Sequence, residues 1–313
     1  MESRSSRGGL TLLAVRSTPP RRWVPTIRTN PQCNRPRSPT AAERQVTTDF
    51  LPDVGLGTWQ NTGEQCTESV RTALDVGYRH VDTAERYGNE KRVGRALAES
   101  SVPREDVVVA TKVHGSNLAY DDVLDSVEGS RGRLGVETID LLYVHWPRRA
   151  YDPAATLAAF ERLHERGAIG RVGLSNFTPD LLADARDRLS IPVAAHQVEM
   201  HPFLPQEGLL ADAREHDTRL VAYAPLARGA VLDHPVIAEI ARGHDATAAQ
   251  VSLAWLLSKG VTVVPKATSE AHVRENFEAR DVELDRRAIR RIDEIDRRER
   301  LYDPSDAPWN RPE

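Results

Sequence analysis

Eight short apolar runs alternate with helical patterns from Leu51 onward, and this alternation restricts the possible fold more than any other feature of the chain. The runs cover residues 54–59, 78–83, 106–113, 138–146, 169–177, 192–200, 219–226 and 261–267. Their near-continuous Val, Ile and Leu content is typical of strands that are buried on both faces. Helix-boundary signals separate them, including Asp152-Pro153 at a helix start and Gly77 at a helix end. Eight strand–helix units in about 250 residues predict an α/β fold, the (β/α)8 TIM barrel.

The competing fold is a doubly wound sheet, which needs a glycine-rich fingerprint where its first helix begins. Here Gly55 and Gly57 are followed by Thr58 and Trp59, with no third glycine. The sequence therefore favours the barrel. Catalytic groups of a barrel lie at the carboxyl ends of its strands, so the polar residues that end the eight runs are the candidate functional residues.

Charge divides the chain into a basic leader, residues 1–48, and an acidic body, residues 49–313. Residues 1–45 contain nine Arg and two Glu, while the whole chain has a net charge of −4. We expect the leader to be disordered. The alternative is that the start codon is misassigned and translation begins near Val46, so that the leader is not translated. The acidic body argues against nucleic-acid binding. No run reaches the roughly 20 apolar residues of a membrane span. The chain has two cysteines that are far apart in sequence, which predicts a reduced, cytoplasmic protein.

Four chemically different polar groups follow three consecutive predicted strands: Asp82, Tyr87, Lys112 and His145. A phenol has an ordinary pKa of about 10, and a neighbouring ammonium lowers it. We therefore expect Lys112 to make the phenolate form of Tyr87 accessible, with Asp82 holding the ammonium charged. Each residue alone has an ordinary structural interpretation, but together they favour a catalytic one.

The spacing of His196, Glu199 and His201 does not match a zinc hydrolase, so we predict no metal.

Several motifs resemble the aldo-keto reductase family, of the 2,5-diketogluconate reductase and aldehyde reductase type, from about Leu51 to Phe277. They are GLGTW, HVDTAERYGNE, ATKV, DLLYVHWP, GLSNF, QVEMHPFLPQ, AYAPLARG and VVPKATSEAHVRENFE. The resemblance implies a TIM barrel, carbonyl reduction with NAD(P)H, and a catalytic tetrad at Asp82, Tyr87, Lys112 and His145. Tyr87 would be the general acid, and His145 would align the carbonyl. A catalytically idle binding or accessory protein of the same fold is the alternative.

The resemblance also implies a set of cofactor contacts, which run from the nicotinamide to the adenine. They are Ser175, Asn176, Gln197, Tyr223, Leu226, Arg228, Lys266, Thr268, His272, Glu275 and Asn276. Tyr223 would stack on the nicotinamide, although a core aromatic is its competing interpretation. The family commonly has Arg where this chain has His272, and histidine is mostly neutral near pH 7. We therefore expect NADPH to be favoured through Lys266, with NADH also usable.

Trp59, Trp146 and His114 match positions that line the family's substrate pocket, and His114 replaces a more usual aromatic. The tail after Leu301, including Trp309, resembles a variable loop over the site or equally a frayed terminus. An apolar cleft with few polar groups suits small aldehydes, α-dicarbonyls or keto-sugars. We expect a monomer with a small carbonyl substrate, without nucleic-acid or membrane partners.

Overall fold

A computed structural model of the protein describes residues 50–310, whose eight strands are all parallel. Strands β1 to β8 are Leu56–Gly57, His80–Asp82, Val108–Val113, Ile139–Val144, Ile169–Ser175, Val193–Glu199, Arg219–Tyr223 and Thr262–Val263. Each strand pairs with its neighbour in chain order. The ends meet because the Gly55 N–H donates to Val263 O at 2.8 Å and the Gly57 N–H donates to Pro265 O at 3.0 Å. The predicted (β/α)8 TIM barrel is confirmed.

Every strand lies inside its predicted run, but β1 and β8 are only two residues long. The runs 54–59 and 261–267 predicted longer strands. Beyond β1 and β8 the two segments stay paired through isolated bridges, Val54 with Val263 and Gly57 with Lys266. The closing seam of the barrel is therefore extended but irregular.

Ten α-helices lie within residues 50–310. Helices α1 to α10 are Gly63–Val76, Glu90–Glu99, Tyr120–Leu134, Pro153–Glu165, Pro179–Arg188, Glu207–Glu215, Pro235–Gly243, Ala248–Leu257, Glu270–Glu278 and Arg286–Asp293. The boundary signals hold: Asp152 caps α4 by accepting the Ala155 N–H at 2.8 Å, and Gly77 ends α1 with φ 123°. Helices α7 and α8 both follow β7, and α9 and α10 both follow β8, so two barrel units each have an extra helix.

The last helix is shorter than the sequence indicates. An apolar stripe over residues 285–300 predicts one docked surface helix, but α10 ends at Asp293. Ile292 and Ile295 are buried as expected. After α10 the chain crosses back toward the barrel, where the Glu299 N–H donates to Phe203 O at 2.9 Å. The backbone hydrogen bond of Glu299 to Phe203 thus takes the place of the hydrogen bond that a longer α10 would form within the helix.

The barrel interior is filled by a small apolar cluster from several strands, including Ala110, Leu141, Tyr143, Ala195 and Val221. Gly173 on β5 makes room for the largest of them, because a Cβ there would lie 2.4 Å from the Tyr143 ring. A larger cluster fills the layer between the sheet and the helices. This packing fixes the strand ends that carry the site.

Within residues 50–310, no helix is long and apolar enough to cross a membrane. The interpretation of residues 1–48 as a disordered leader or a misassigned start concerns a part of the chain outside the described residues.

Candidate active site

A cavity of about 850 Å³ opens at the carboxyl ends of the strands. Most of the residues predicted from the sequence line it: Trp59, Asp82, Tyr87, His114, His145, Trp146, Ser175, Asn176, Gln197, Tyr223, Leu226, Arg228 and Lys266. Lys112 lies behind this lining and is buried. Thr268, His272, Glu275 and Asn276 do not line the cavity. The predicted active-site residues therefore converge, whereas the predicted adenine contacts lie apart from the cavity.

The centre of the site is a buried carboxylate with a donor on each oxygen. Lys112 donates to Asp82 Oδ1 at 2.5 Å and also to the carbonyl of Thr83 at 2.8 Å. Gln197 donates its side-chain N–H to Asp82 Oδ2 at 2.7 Å. Burial lowers the pKa of Lys112, and the carboxylate of Asp82 opposes that effect. The ion pair therefore keeps an ammonium in a dry environment.

Tyr87 is presented by a short 3-10 turn, Glu85–Tyr87, that follows β2. Asn89 anchors this turn: it accepts from Thr83 Oγ1 at 2.7 Å and donates to the carbonyl of Thr58 at 2.9 Å. The Lys112 Nζ lies 5.3 Å from the centroid of the Tyr87 ring. The same ring meets His145 edge-on with centroids 5.8 Å apart. Phenol, ammonium and imidazole are thus neighbours.

The expected lowering of the Tyr87 pKa by Lys112 is wrong. Burial raises the pKa of Tyr87 well above its ordinary value, and the negative charge of Asp82 raises it further. The main reason is burial, which disfavours the phenolate, while the Lys112 ammonium donates to Asp82 and Thr83. The hydroxyl of Tyr87 is therefore protonated throughout the neutral pH range.

His145 is a neutral imidazole at the end of β4. Burial lowers its pKa well below the ordinary value, and the charges of Lys112 and nearby arginines add to this effect. Within the described residues its buried Nδ1 has no hydrogen-bond partner. Because an unpaired buried N–H is costlier than an unpaired lone pair, the proton belongs on Nε2. That nitrogen can then donate to an oxygen in the cavity.

A second polar group in the cavity consists of Ser175 at the end of β5, Asn176 directly after it, and Tyr223 at the end of β7. Tyr223 donates its hydroxyl to Asn176 Oδ1 at 2.8 Å, and Asn176 donates to Ser175 Oγ at 3.0 Å. Asn176 also donates to the backbone carbonyl of His145 at 3.0 Å. Its backbone has a φ of 62°, a conformation that asparagine tolerates better than most residues. The Tyr223 side chain is thereby fixed at the edge of the cavity.

The other end of the cavity is cationic. The loop after β7 has positive φ at Ala224, Ala227 and Arg228, and such strain is concentrated at functional sites. Among residues 50–310, neither Arg228 nor Lys266 forms an ion pair with a carboxylate. Cations that have no carboxylate partner suit phosphate groups, and the amide and hydroxyl of Asn176 and Ser175 suit a carboxamide. The residues present therefore fit a nicotinamide dinucleotide.

Sequence reasoning missed Tyr302, which joins the C-terminal segment to the cavity. Its ring lies 5.5 Å from that of Trp59 and 5.4 Å from that of Tyr223. The backbone N–H groups of Leu301 and Tyr302 donate to the carboxylate of Glu199 at 2.6 and 2.9 Å. The only sequence signal was the aromatic content of the tail.

Trp309 continues this cover. Its ring packs against Trp146 at 5.5 Å, and its Nε1 donates to Asp303 Oδ1 at 2.8 Å. The loop interpretation of the tail is therefore correct for residues 301–310, and the frayed-terminus alternative is wrong for them.

Glu199, the acid of the His196–Glu199–His201 motif, contacts His201 at 3.0 Å and accepts the backbone N–H groups of Leu301 and Tyr302. Its carboxylate therefore holds the tail. No group of three potential metal ligands occurs in the described part of the chain.

A barrel with a lysine–carboxylate pair, a phenol and an imidazole at a dinucleotide-sized cavity defines a nicotinamide-dependent oxidoreductase of the TIM-barrel class. The sequence profile of the Aldo/keto reductase family matches residues 53–297, so the chain belongs to the aldo-keto reductase family. It is an oxidoreductase that reduces carbonyl compounds with NAD(P)H.

Individual relatives agree with this assignment. An aldo-keto reductase of Mycobacterium sp. (strain JLS) is 39% identical over 252 residues, which cover 80% of this chain and 91% of the relative. Methylglyoxal reductase DkgB of Escherichia coli O157:H7 is 35% identical over 257 residues, covering 81% and 96%. The crystal structure of a protein provisionally named 2,5-diketo-D-gluconic acid reductase B has a TM-score of 0.79 at 35% identity, covering 82% and 92%.

Proposed function

We propose that this enzyme reduces small aldehydes and ketones with Tyr87 as the general acid and with NADPH favoured over NADH. The observation that carries the proposal is the position of Lys112 Nζ, which contacts Asp82 at 2.5 Å and lies 5.3 Å from the Tyr87 ring centroid. A bound nicotinamide supplies a hydride to the carbonyl carbon. The protein must then supply a proton to the oxygen and hold the carbonyl in place.

The four tetrad residues have separate tasks in this proposal. His145 donates from Nε2 to the carbonyl oxygen and aligns it. Tyr87 gives its hydroxyl proton to the same oxygen as negative charge develops there. Lys112 stabilises the phenolate that remains, and Asp82 keeps the ammonium charged against the effect of burial. Reprotonation from solvent through the open cavity restores the phenol.

The cofactor residues divide by chemistry. Ser175, Asn176 and Gln197 present polar groups for a carboxamide, and Tyr223 presents its ring. Leu226 and Arg228 would face the pyrophosphate, and Lys266 would face a 2′-phosphate; the remaining predicted contacts are Thr268, Glu275, Asn276 and His272. His272 carries no permanent charge, so we expect the ratio of kcat/KM values for NADPH and NADH to stay below roughly 10³.

Residues 49–313 form the proposed catalytic domain, acting as a cytoplasmic monomer on a small carbonyl and without a nucleic-acid partner. The acidic body and the complete tetrad within one chain support this. Light scattering after size exclusion tests the oligomeric state; a stable dimer at micromolar concentration contradicts the monomer.

The central experiment follows the absorbance of reduced nicotinamide with a panel of small carbonyls, for the wild type and for Tyr87→Phe. We expect turnover in the wild type and a loss of at least about 10²-fold in the variant, with cofactor binding retained by fluorescence titration. Cofactor binding without turnover of any carbonyl would instead favour the idle binding protein. Undiminished turnover in Tyr87→Phe would remove this residue from the acid role.

A further inference from the structure

One cation in the cavity lining has no task in the proposed reaction. Arg86 immediately precedes Tyr87 in the turn after β2, is exposed, and lines the cavity. Its guanidinium contacts His114, whose Nε2 lies 3.0 Å away. Within residues 50–310 Arg86 forms no ion pair with a carboxylate. A guanidinium has five N–H donors, so the contact with His114 leaves most of them without a protein acceptor among the described residues.

The neighbours of Arg86 hold this cation in place without neutralising it. Burial and the nearby arginines lower the pKa of His114, so this imidazole is neutral at pH 7 and accepts from Arg86. Glu85 accepts from the backbone N–H of His114 and from Asn117. Glu85 therefore already accepts from backbone and amide donors and does not neutralise Arg86. The guanidinium of Arg86 stays charged, and its contact with His114 fixes its orientation.

The described cavity lining has more positive than negative charge. It contains four cations, Arg86, Arg148, Arg228 and Lys266, and two acids, Asp82 and Asp303. Asp82 is balanced by Lys112 from behind, and Asp303 accepts from Trp309 and Asn310. Arg148 pairs with Asp306 at 2.5 Å. Arg228 packs on the rings of Trp59 and Tyr302. Arg86 is therefore the cation next to Tyr87 that has no carboxylate partner within the described residues.

We propose that Arg86 is a specificity-determining residue that binds a carboxylate on the substrate, so that the preferred substrates are carbonyl compounds bearing an acid group. This inference rests on the proposed function, because it assigns the substrate end of the same cavity to Arg86. A guanidinium binds a carboxylate through two parallel N–H bonds. The carboxylate also replaces the water that otherwise solvates an exposed cation.

The test compares acids with their own methyl esters, which differ in charge but share the reacting aldehyde. The probes are succinic semialdehyde, 4-carboxybenzaldehyde and the methyl ester of each, with NADPH held at saturation. The variants are Arg86→Met, Arg86→Lys and the control Arg149→Met, because Arg149 donates to Ser116 and lies outside the cavity lining. The quantity measured is the ratio of kcat/KM for acid over ester.

We expect Arg86→Met to lower this ratio by about tenfold to a hundredfold, mainly through KM, and Arg86→Lys to restore part of it. Added salt should lower the ratio in the wild type and have little effect in Arg86→Met. Arg149→Met should keep the wild-type ratio. An equal ratio in wild type and Arg86→Met overturns the proposal, as does weaker NADPH binding in that variant without a change in ratio. Failure of the proposed function is a distinct result, since no probe would then be turned over by the wild type.

Discussion

Gln197 and Asp82 are joined by a buried hydrogen bond of 2.7 Å between strands β6 and β2, across the interior of the barrel mouth. The resemblance to a known family assigns Gln197 to the nicotinamide, but here its N–H orients the carboxylate that holds Lys112. Its carbonyl oxygen remains for the cavity. One amide can therefore link cofactor binding to the position of the catalytic ion pair.

Replacing Gln197 with Leu tests this link. The change leaves one oxygen of a buried carboxylate without a donor, which we expect to lower the free energy of unfolding by about 1–3 kcal/mol. It should also lower kcat, because the Asp82–Lys112 pair loses its alignment. Urea denaturation and steady-state kinetics measure the two effects. The control is Gln65→Leu on the exposed face of α1. Equal stability of the two variants would contradict the structural role of Gln197.

Much of the site was predictable because its residues end strands that the apolar runs already indicate. Asp82, Lys112 and His145 follow from strand position, and their identities limit the chemistry. The contacts within the site were less accessible, because strand position does not say which partner a side chain chooses. The Asp82–Gln197 bond depends on the distance between two strands that are far apart in sequence, and the raised pKa of Tyr87 depends mainly on burial.

The tail illustrates the other limit of sequence reasoning. Nothing in the local pattern near residue 301 shows that Glu199, about a hundred residues earlier, accepts two backbone N–H groups there. Likewise, the stripe in 285–300 predicts a helix, since periodicity reports burial and not the bonds that end α10 at Asp293. Long-range backbone contacts decide both outcomes.

Replacing Glu199 with Gln should release the tail. Burial acts to raise the pKa of Glu199, but hydrogen bonds from His201, Leu301 and Tyr302 outweigh it, so the pKa lies below its ordinary value. This carboxylate therefore contributes stability above the unfolded-state pKa, and that stability is lost as the pH falls through the lower folded-state pKa.

In hydrogen exchange at neutral pH, we expect the amides of residues 301–302 to exchange faster in Glu199→Gln than in the wild type. Lowering the pH below about 4.3, the ordinary pKa of Glu in model peptides, should weaken the tail contacts in the wild type more than in the variant. KM for aromatic carbonyls should rise, because Tyr302 then loses its fixed position beside Trp59 and Tyr223. Unchanged protection in the variant would rule out this attachment.

Gly173 is required for packing beside the site. An added Cβ would meet the Tyr143 ring at 2.4 Å, and that ring lies 5.8 Å from Lys112 Nζ. We expect Gly173→Ala to lower the free energy of unfolding by about 1–3 kcal/mol and to reduce kcat by displacing Tyr143 toward Lys112. Gly208→Ala is the matched control, since a Cβ at this exposed position in α6 meets nothing within 4 Å and alanine favours a helix. Equal stability of the two variants would contradict the packing argument.

His272 offers the sharpest test of cofactor choice. It lies in the first turn of α9, is exposed, and its N–H is capped by Ser269 Oγ at 3.3 Å. Arginine there would add a permanent charge on the adenine side, so we expect His272→Arg to raise the NADPH-to-NADH ratio of kcat/KM by about tenfold or more. Lys266→Met should lower the same ratio, because it removes the cation proposed for the 2′-phosphate. Since the 2′-phosphate takes no part in hydride transfer, both changes should act through KM. A ratio that does not respond to either substitution would show that neither residue contributes to binding the 2′-phosphate.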